Sequence, residues 1–136
     1  MKIAYKVFCL TPTGALKPCC VDNRDEKYYV ESEKNKVNKP KKGKFFVFGK
    51  MPTAKQIGKI LHRTQPIKVF RCMVDTLVPV TSITIPPDYN YYAPADSYWA
   101  DYEALGVQGG HEMAIEDTFF CNEVYLLKDV TNLIKR

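Results

Sequence analysis

The first residues alternate as a strand with two covered faces would. Ile3, Tyr5, Val7 and Cys9 fall on one side, and Ala4, Lys6, Phe8 and Leu10 on the other. This period-2 pattern predicts an interior strand over 3–10. Thr11-Pro12-Thr13-Gly14 supplies a fixed φ and then a residue tolerant of positive φ, so a hairpin returning over 16–21 is expected. Tyr28, Tyr29 and Val30 make a further strand-like run within 27–32. Residues 33–43 then hold lysines, two chain breakers and little apolar material, which predicts an exposed, mobile basic loop.

Phe45, Phe46, Val47 and Phe48 form a short aromatic strand that Gly49 ends. Pro52 suits the first turn of a helix, and Ala54, Ile57, Ile60 and Leu61 follow at helical spacing, so a helix is predicted over 52–63 with Lys55, Lys59 and Arg63 on its outer side. Gln65-Pro66 breaks it. Ile67, Val69, Phe70, Cys72 and Val74 then mark a core strand over 67–74, and the strand, helix, strand unit has the length of a crossover connection. Further β-rich runs over 77–80 and 82–85 are divided and closed by prolines, which places them at an edge. The tyrosine-rich stretch 88–96 reads as a loop. A short helix over Tyr98, Trp99, Tyr102 and Leu105, capped by Asp96 or Ser97, follows it, and a final strand covers 119–127. The fold class expected is α+β: a single domain over 1–136, with a mixed, mostly antiparallel sheet, one main helix, and long loops at 33–43 and 86–118.

Charge is segregated along the chain. Residues 1–71 carry 17 Lys/Arg against 5 Asp/Glu, whereas residues 72–129 carry Lys128 alone against 10 Asp/Glu. Such a division gives a domain that neutralises itself or one with a basic and an acidic face. No apolar run approaches the roughly 20 residues that span a bilayer, and lysines interrupt the N-terminus where a signal peptide is continuously apolar, so a cytoplasmic protein with no membrane partner is expected. The cysteines, Cys9, Cys19, Cys20, Cys72 and Cys121, are odd in number, and two of them are adjacent, which argues against a disulfide framework. His62 and His111 lie far from each other and from any cysteine pair at ligand spacing, so no metal is called for. No glycine-rich phosphate loop or nucleophile elbow is present, and no cofactor is expected.

Three constellations remain. Tyr89, Tyr91, Tyr92 and Tyr98 with Asp96 and Asp101 combine amphipathic rings with acids, as protein-contact surfaces do, and they are the expected protein-binding site for a cationic partner. Lys34, Lys36, Lys39, Lys41, Lys42 and Lys44 form a basic surface able to neutralise phosphates, the alternative nucleic-acid site. Glu112, Glu116, Asp117 and Glu123 cluster near His111, as solvated surface acids do.

Two resemblances add to these. Tyr5-Lys6-Val7-Phe8, a polar turn and Gly14-Ala15-Leu16 resemble the start of a group of small uncharacterised phage and prophage proteins, which implies an accessory protein acting on a host partner. Gly43-Lys44-Phe45-Phe46-Val47-Phe48, the helix with Ala54, the strand over 67–74 and a late strand with Glu123-Val124-Tyr125 are similar in layout to ADP-ribosyltransferase-like domains. That likeness implies an NAD-dependent transferase with Glu123 as its catalytic residue. The family's first-strand Arg or His is replaced here by Tyr5 or Lys6, and its Ser, Thr or Tyr by Phe45 to Phe48, which implies a scaffold whose chemistry has been lost. The leading expectation is therefore a non-enzymatic binding protein that recognises a host protein through the aromatic, acidic loop.

Overall fold

In the computed structural model of the chain, residues 1–18, 31–40, 44–51, 53–54, 66–80, 82–83, 104, 112–113 and 117–131 are described. Their strands are β1 (Lys2–Leu10), β2 (Leu16–Pro18), β3 (Val37–Asn38), β4 (Phe45–Phe48), β5 (Ile67–Val74), β6 (Val78–Pro79), β7 (Ser82–Ile83), β8 (Glu112–Met113), β9 (Thr118–Cys121) and β10 (Val124–Asp129). One sheet runs β3-β10-β5-β1-β4-β9-β6, with β2 also on β1, and β7 pairs β8 separately.

The long, continuously β-prone β1 is central, as its two apolar faces require. One edge pairs β5 along the whole run from Lys2↔Val74 to Cys9↔Ile67. The other edge forks, pairing β4 at Tyr5↔Phe48 and β2 from Phe8↔Pro18 to Leu10↔Leu16. Turn chemistry sets the β1–β2 hairpin: Gly14 has φ 87, its N–H donates to Thr11 O at 2.9 Å, and Ala15 N–H donates to Thr11 Oγ1 at 3.0 Å.

The short link from β9 to β10 dictates the sheet's shape. Four strand spacings separate these strands in the sheet order, about 19 Å if the sheet were flat. Cys121 and Val124 are three residues apart, a reach of about 11 Å at most. The sheet therefore curls until β9 and β10 approach each other at Asn122-Glu123. Asp75, at the end of β5, fixes that corner, its carboxylate accepting from the N–H groups of Asn122 and Glu123 and from Asn122 Nδ2, each at 2.9 Å.

Alternation along the strands then separates two sides. The concave side buries Ala4, Phe8, Phe70, Cys72, Val74, Val124 and Leu126 with Phe45, Phe120 and Cys121. Each fully buried phenylalanine there contributes about 1.5–3 kcal/mol. The convex side has a smaller cluster of Val7, Phe48, Ala54, Val69 and Val130, flanked by Tyr5, Met51 and Ile67. The link after β4 is held by Asp117, whose carboxylate accepts from Lys50 N–H at 2.8 Å. A Cβ on Gly49 would overlap that carboxyl and approach Phe119 Cε1 at 3.2 Å, so the close passage needs glycine.

The α+β expectation is overturned. The pairings among the described strands are all antiparallel. Among the described residues no helical element is present: helical backbone occurs at Met51, Thr53, Ala54 and Ala104, and residues 52 and 55–63 of the expected helix lie outside the described residues. The architecture that buries the concave core is a curled antiparallel sheet, while the convex cluster around Val7, Phe48 and Val69 is closed by Met51, Ala54 and Val130, which lie outside the strands. The mixed sheet is corrected with it, since β4 and β5, although parallel to each other, are kept apart by β1 and never pair. Two local expectations also change. The single strand over 119–127 is two strands with the Asp75-bound turn between them. The basic loop over 33–43 contains β3, paired to β10 through Asn38↔Val124 and Val37↔Tyr125.

Candidate functional site

On the convex side, the apolar cluster covers only one end of the sheet. Towards the other end the register aligns Val37, Tyr125, Met73 and Ile3 in one row across β3, β10, β5 and β1. Val37 is 45 % and Ile3 40 % exposed, and Tyr125 and Met73 are partly exposed between them. Four neighbouring strands thus present a continuous apolar stripe to solvent, whereas single exposed apolar residues would be ordinary.

The next row is cationic. The register shifts between Leu126 and Lys128, which leaves Leu127 as the extra residue, 43 % exposed, and sets Lys128 directly opposite Arg71. Both side chains are exposed. Like charges in this relation repel, and no carboxylate among the described residues pairs with either. An apolar stripe bordered by two facing cations is a surface complementary to an apolar, acidic one.

The concave side holds a buried lysine. Lys6 is 3 % exposed, and its Nζ donates to Phe46 O at 2.9 Å. It lies 4.8 Å from the ring centre of Phe45 and 5.5 Å from that of Phe8, positions in which the rings' negative faces stabilise the ammonium. Lys6 sits at the fork, where β1 leaves β4 for β2, and its side chain spans the opening. Cys72 and Cys121 lie in the same core. Burial pushes both thiols up to about 12, against the pull of the Lys6 charge. They remain protonated at neutral pH and are poor nucleophiles.

At the end of the concave side opposite the Asp75 corner, Lys68 pairs with Asp129 at 3.3 Å. Thr131 also donates to the Asp129 carboxylate from its N–H and Oγ1. Burial acts to raise the pKa of Asp129, but these hydrogen bonds and Lys68 outweigh it and hold the carboxyl below its ordinary value.

The residues singled out from sequence fare differently. Glu123 lies in the turn before β10, ion-paired to Lys39 at 3.4 Å, and not on a strand as the transferase resemblance implies. Lys36 pairs with Glu33 at 3.2 Å, Lys44 Nζ donates to Asn122 Oδ1, and Lys34 lies over the Phe70 ring, so this part of the basic surface is engaged within the fold. Lys41 and Lys42 lie outside the described residues, as do Tyr89, Tyr91, Tyr92, Asp96, Tyr98 and Asp101. Asp117 holds the turn after β4 and stands apart from Glu123. Sequence reasoning did not single out Arg71, Lys128 or the apolar row. Their signal was present in the alternation of β5, but the β10 bulge that aligns them is not visible in composition.

Among the described residues no three His, Cys, Asp or Glu side chains converge as metal ligands do, and no helix is long and apolar enough to cross a membrane. Comparison with protein-family models, with curated proteins and with solved structures gives no match.

Proposed function

We propose that this chain is a non-enzymatic binding protein whose convex sheet face docks a partner protein with an apolar, acidic surface. The observation that carries this is the alignment of Val37, Tyr125, Met73 and Ile3 beside the facing pair Arg71 and Lys128. The row supplies apolar area to remove from water. The two cations gain on complexation what they lose to mutual repulsion in the free protein. The likeness of the opening strand to small phage proteins supports a host protein as that partner.

Selection from a displayed peptide library tests the proposal. The expected winners combine apolar residues with Asp or Glu, and lose binding to the double variant R71E/K128E and to M73E while both variants keep the wild-type circular dichroism spectrum. Winners that are basic, or that bind R71E/K128E as well as wild type, overturn it. So does light scattering that shows the face already covered by a second copy, or retention on single-stranded nucleic acid that the same charge reversals abolish.

A further inference from the structure

We propose that the open end of the concave side is a binding site for a monocarboxylate that carries an apolar tail. A cleft of about 290 Å³ lies there, with Leu10, Leu16 and Phe70 among its apolar lining and Lys34, Lys68 and Asp129 at its polar margin. Mouths of curled sheets are favoured places for small ligands, and the volume suits a small one. This site is on the opposite side of the sheet from the docking face and stands independently of it.

The apolar end of the ligand is defined by Phe70. Its ring packs edge-on against Phe8, with centroids 5.9 Å apart and planes at 83°. This pair separates two ammonium groups: Lys6 lies over Phe8 on the inside, and Lys34 lies 5.8 Å from the Phe70 ring centre on the cleft side. Phe70 and Leu16 are buried and form the floor of the cleft beneath Lys34, and the partly exposed Leu10 and Ala15 supply its accessible apolar wall, where a short alkyl tail would lie.

The charged end is defined by how the local carboxylates are divided. Glu33 pairs with Lys36, and Asp129 pairs with Lys68, so Lys34 has no carboxylate partner among the described residues. The margin carries Lys34 and Lys68 against Asp129, an excess of one positive charge, and the interior Lys6 adds to the positive potential from behind. A monoanion satisfies Lys34 and leaves the Lys68–Asp129 pair intact. A dianionic phosphate would place surplus negative charge beside Asp129, and a cation would meet two lysines. The class that fits is therefore a single carboxylate on an apolar body.

Sodium octanoate titrated into the full chain, followed by calorimetry and by side-chain NMR, tests this. Octanoate is expected to shift the signals of Leu10, Leu16 and Phe70. Octanol is expected to bind at least about tenfold more weakly, the loss that one charge-assisted contact represents. K34Q should weaken octanoate by a similar factor, and K34E should weaken it further. Equal affinity for octanol, shifts confined to other residues, or unchanged affinity in K34E overturns the assignment. Displacement of octanoate by inorganic phosphate at equal concentration does so as well. The octanol comparison uses the unaltered protein and is independent of how any variant folds.

Discussion

The ammonium of Lys6 donates to the carbonyl of Phe46 at 2.9 Å, side chain to main chain, where β1 exchanges β4 for β2 as its neighbour. A strand that forks in this way opens its backbone ladder, and a long side chain with three donors can span the gap. Replacing Lys6 with Met keeps the length and removes this donor from the Phe46 carbonyl. K6M is expected to lower stability by about 1–3 kcal/mol, measured by urea unfolding. A gain in stability would mean that the cost of burying the ammonium exceeds what its hydrogen bond and ring contacts return.

Asp75 joins the end of β5 to the β9–β10 turn through three hydrogen bonds of 2.9 Å. Burial acts to raise its pKa, but the bonds from Asn122 and Glu123 outweigh it and hold the carboxyl below its ordinary 3.8. A depressed folded pKa contributes stability that is present above the unfolded value and lost as pH falls through the folded one. D75A is therefore expected to cost about 1–2 kcal/mol at pH 7, and to show a shallower decline than wild type as pH falls below about 4. Thermal unfolding from pH 7 to pH 2 measures both. Parallel acid limbs in the two proteins would contradict the role of this carboxylate.

Cys72 and Cys121 are buried thiols pushed from 9.0 to about 12. In the folded protein at pH 8, iodoacetamide is expected to leave both unmodified, and after denaturation to modify both, as peptide mass mapping will show. The sign of the linkage is opposite to that of Asp75. A raised folded pKa means that the unfolded chain loses these protons first, so stability declines as pH rises from about 9 towards 12. Rapid alkylation of either residue in the native state would contradict the burial.

Arg71 and Lys128 face each other across β5 and β10. Removing that repulsion by K128E is expected to raise stability by about 0.2–1 kcal/mol, a change in unfolding midpoint that salt diminishes. The same substitution is expected to weaken partner binding. A cationic pair that costs stability yet supports binding is the pattern of a surface set by its partner. Loss of stability in K128E would show that the bulge, and not charge, governs this position.

The chain's local pattern determined much of the sheet. The alternation around Lys6 marks β1 as interior, Pro12 and Gly14 set the first hairpin, Phe45 to Phe48 and Ile67 to Val74 give β4 and β5 nearly to the residue, and Pro79 places β6 at an edge. These are short-range effects of sterics and side-chain period, so they are written in neighbouring residues. Tertiary structure decided the rest. Within Thr118 to Asp129 the polar pair Asn122-Glu123 is only a weak local turn signal, and the break there is fixed by Asp75, 47 residues away from Asn122. The basic residues 33–43 read as solvated, yet Asn38 is buried because its Nδ2 donates to Val124 O at 3.2 Å, 86 residues along the chain. The apolar row, the Arg71–Lys128 opposition and the cleft under Lys34 exist only after β10 pairs with β5 and the sheet curls. Register and curvature come from long-range pairing, and composition carries no record of which strands will meet.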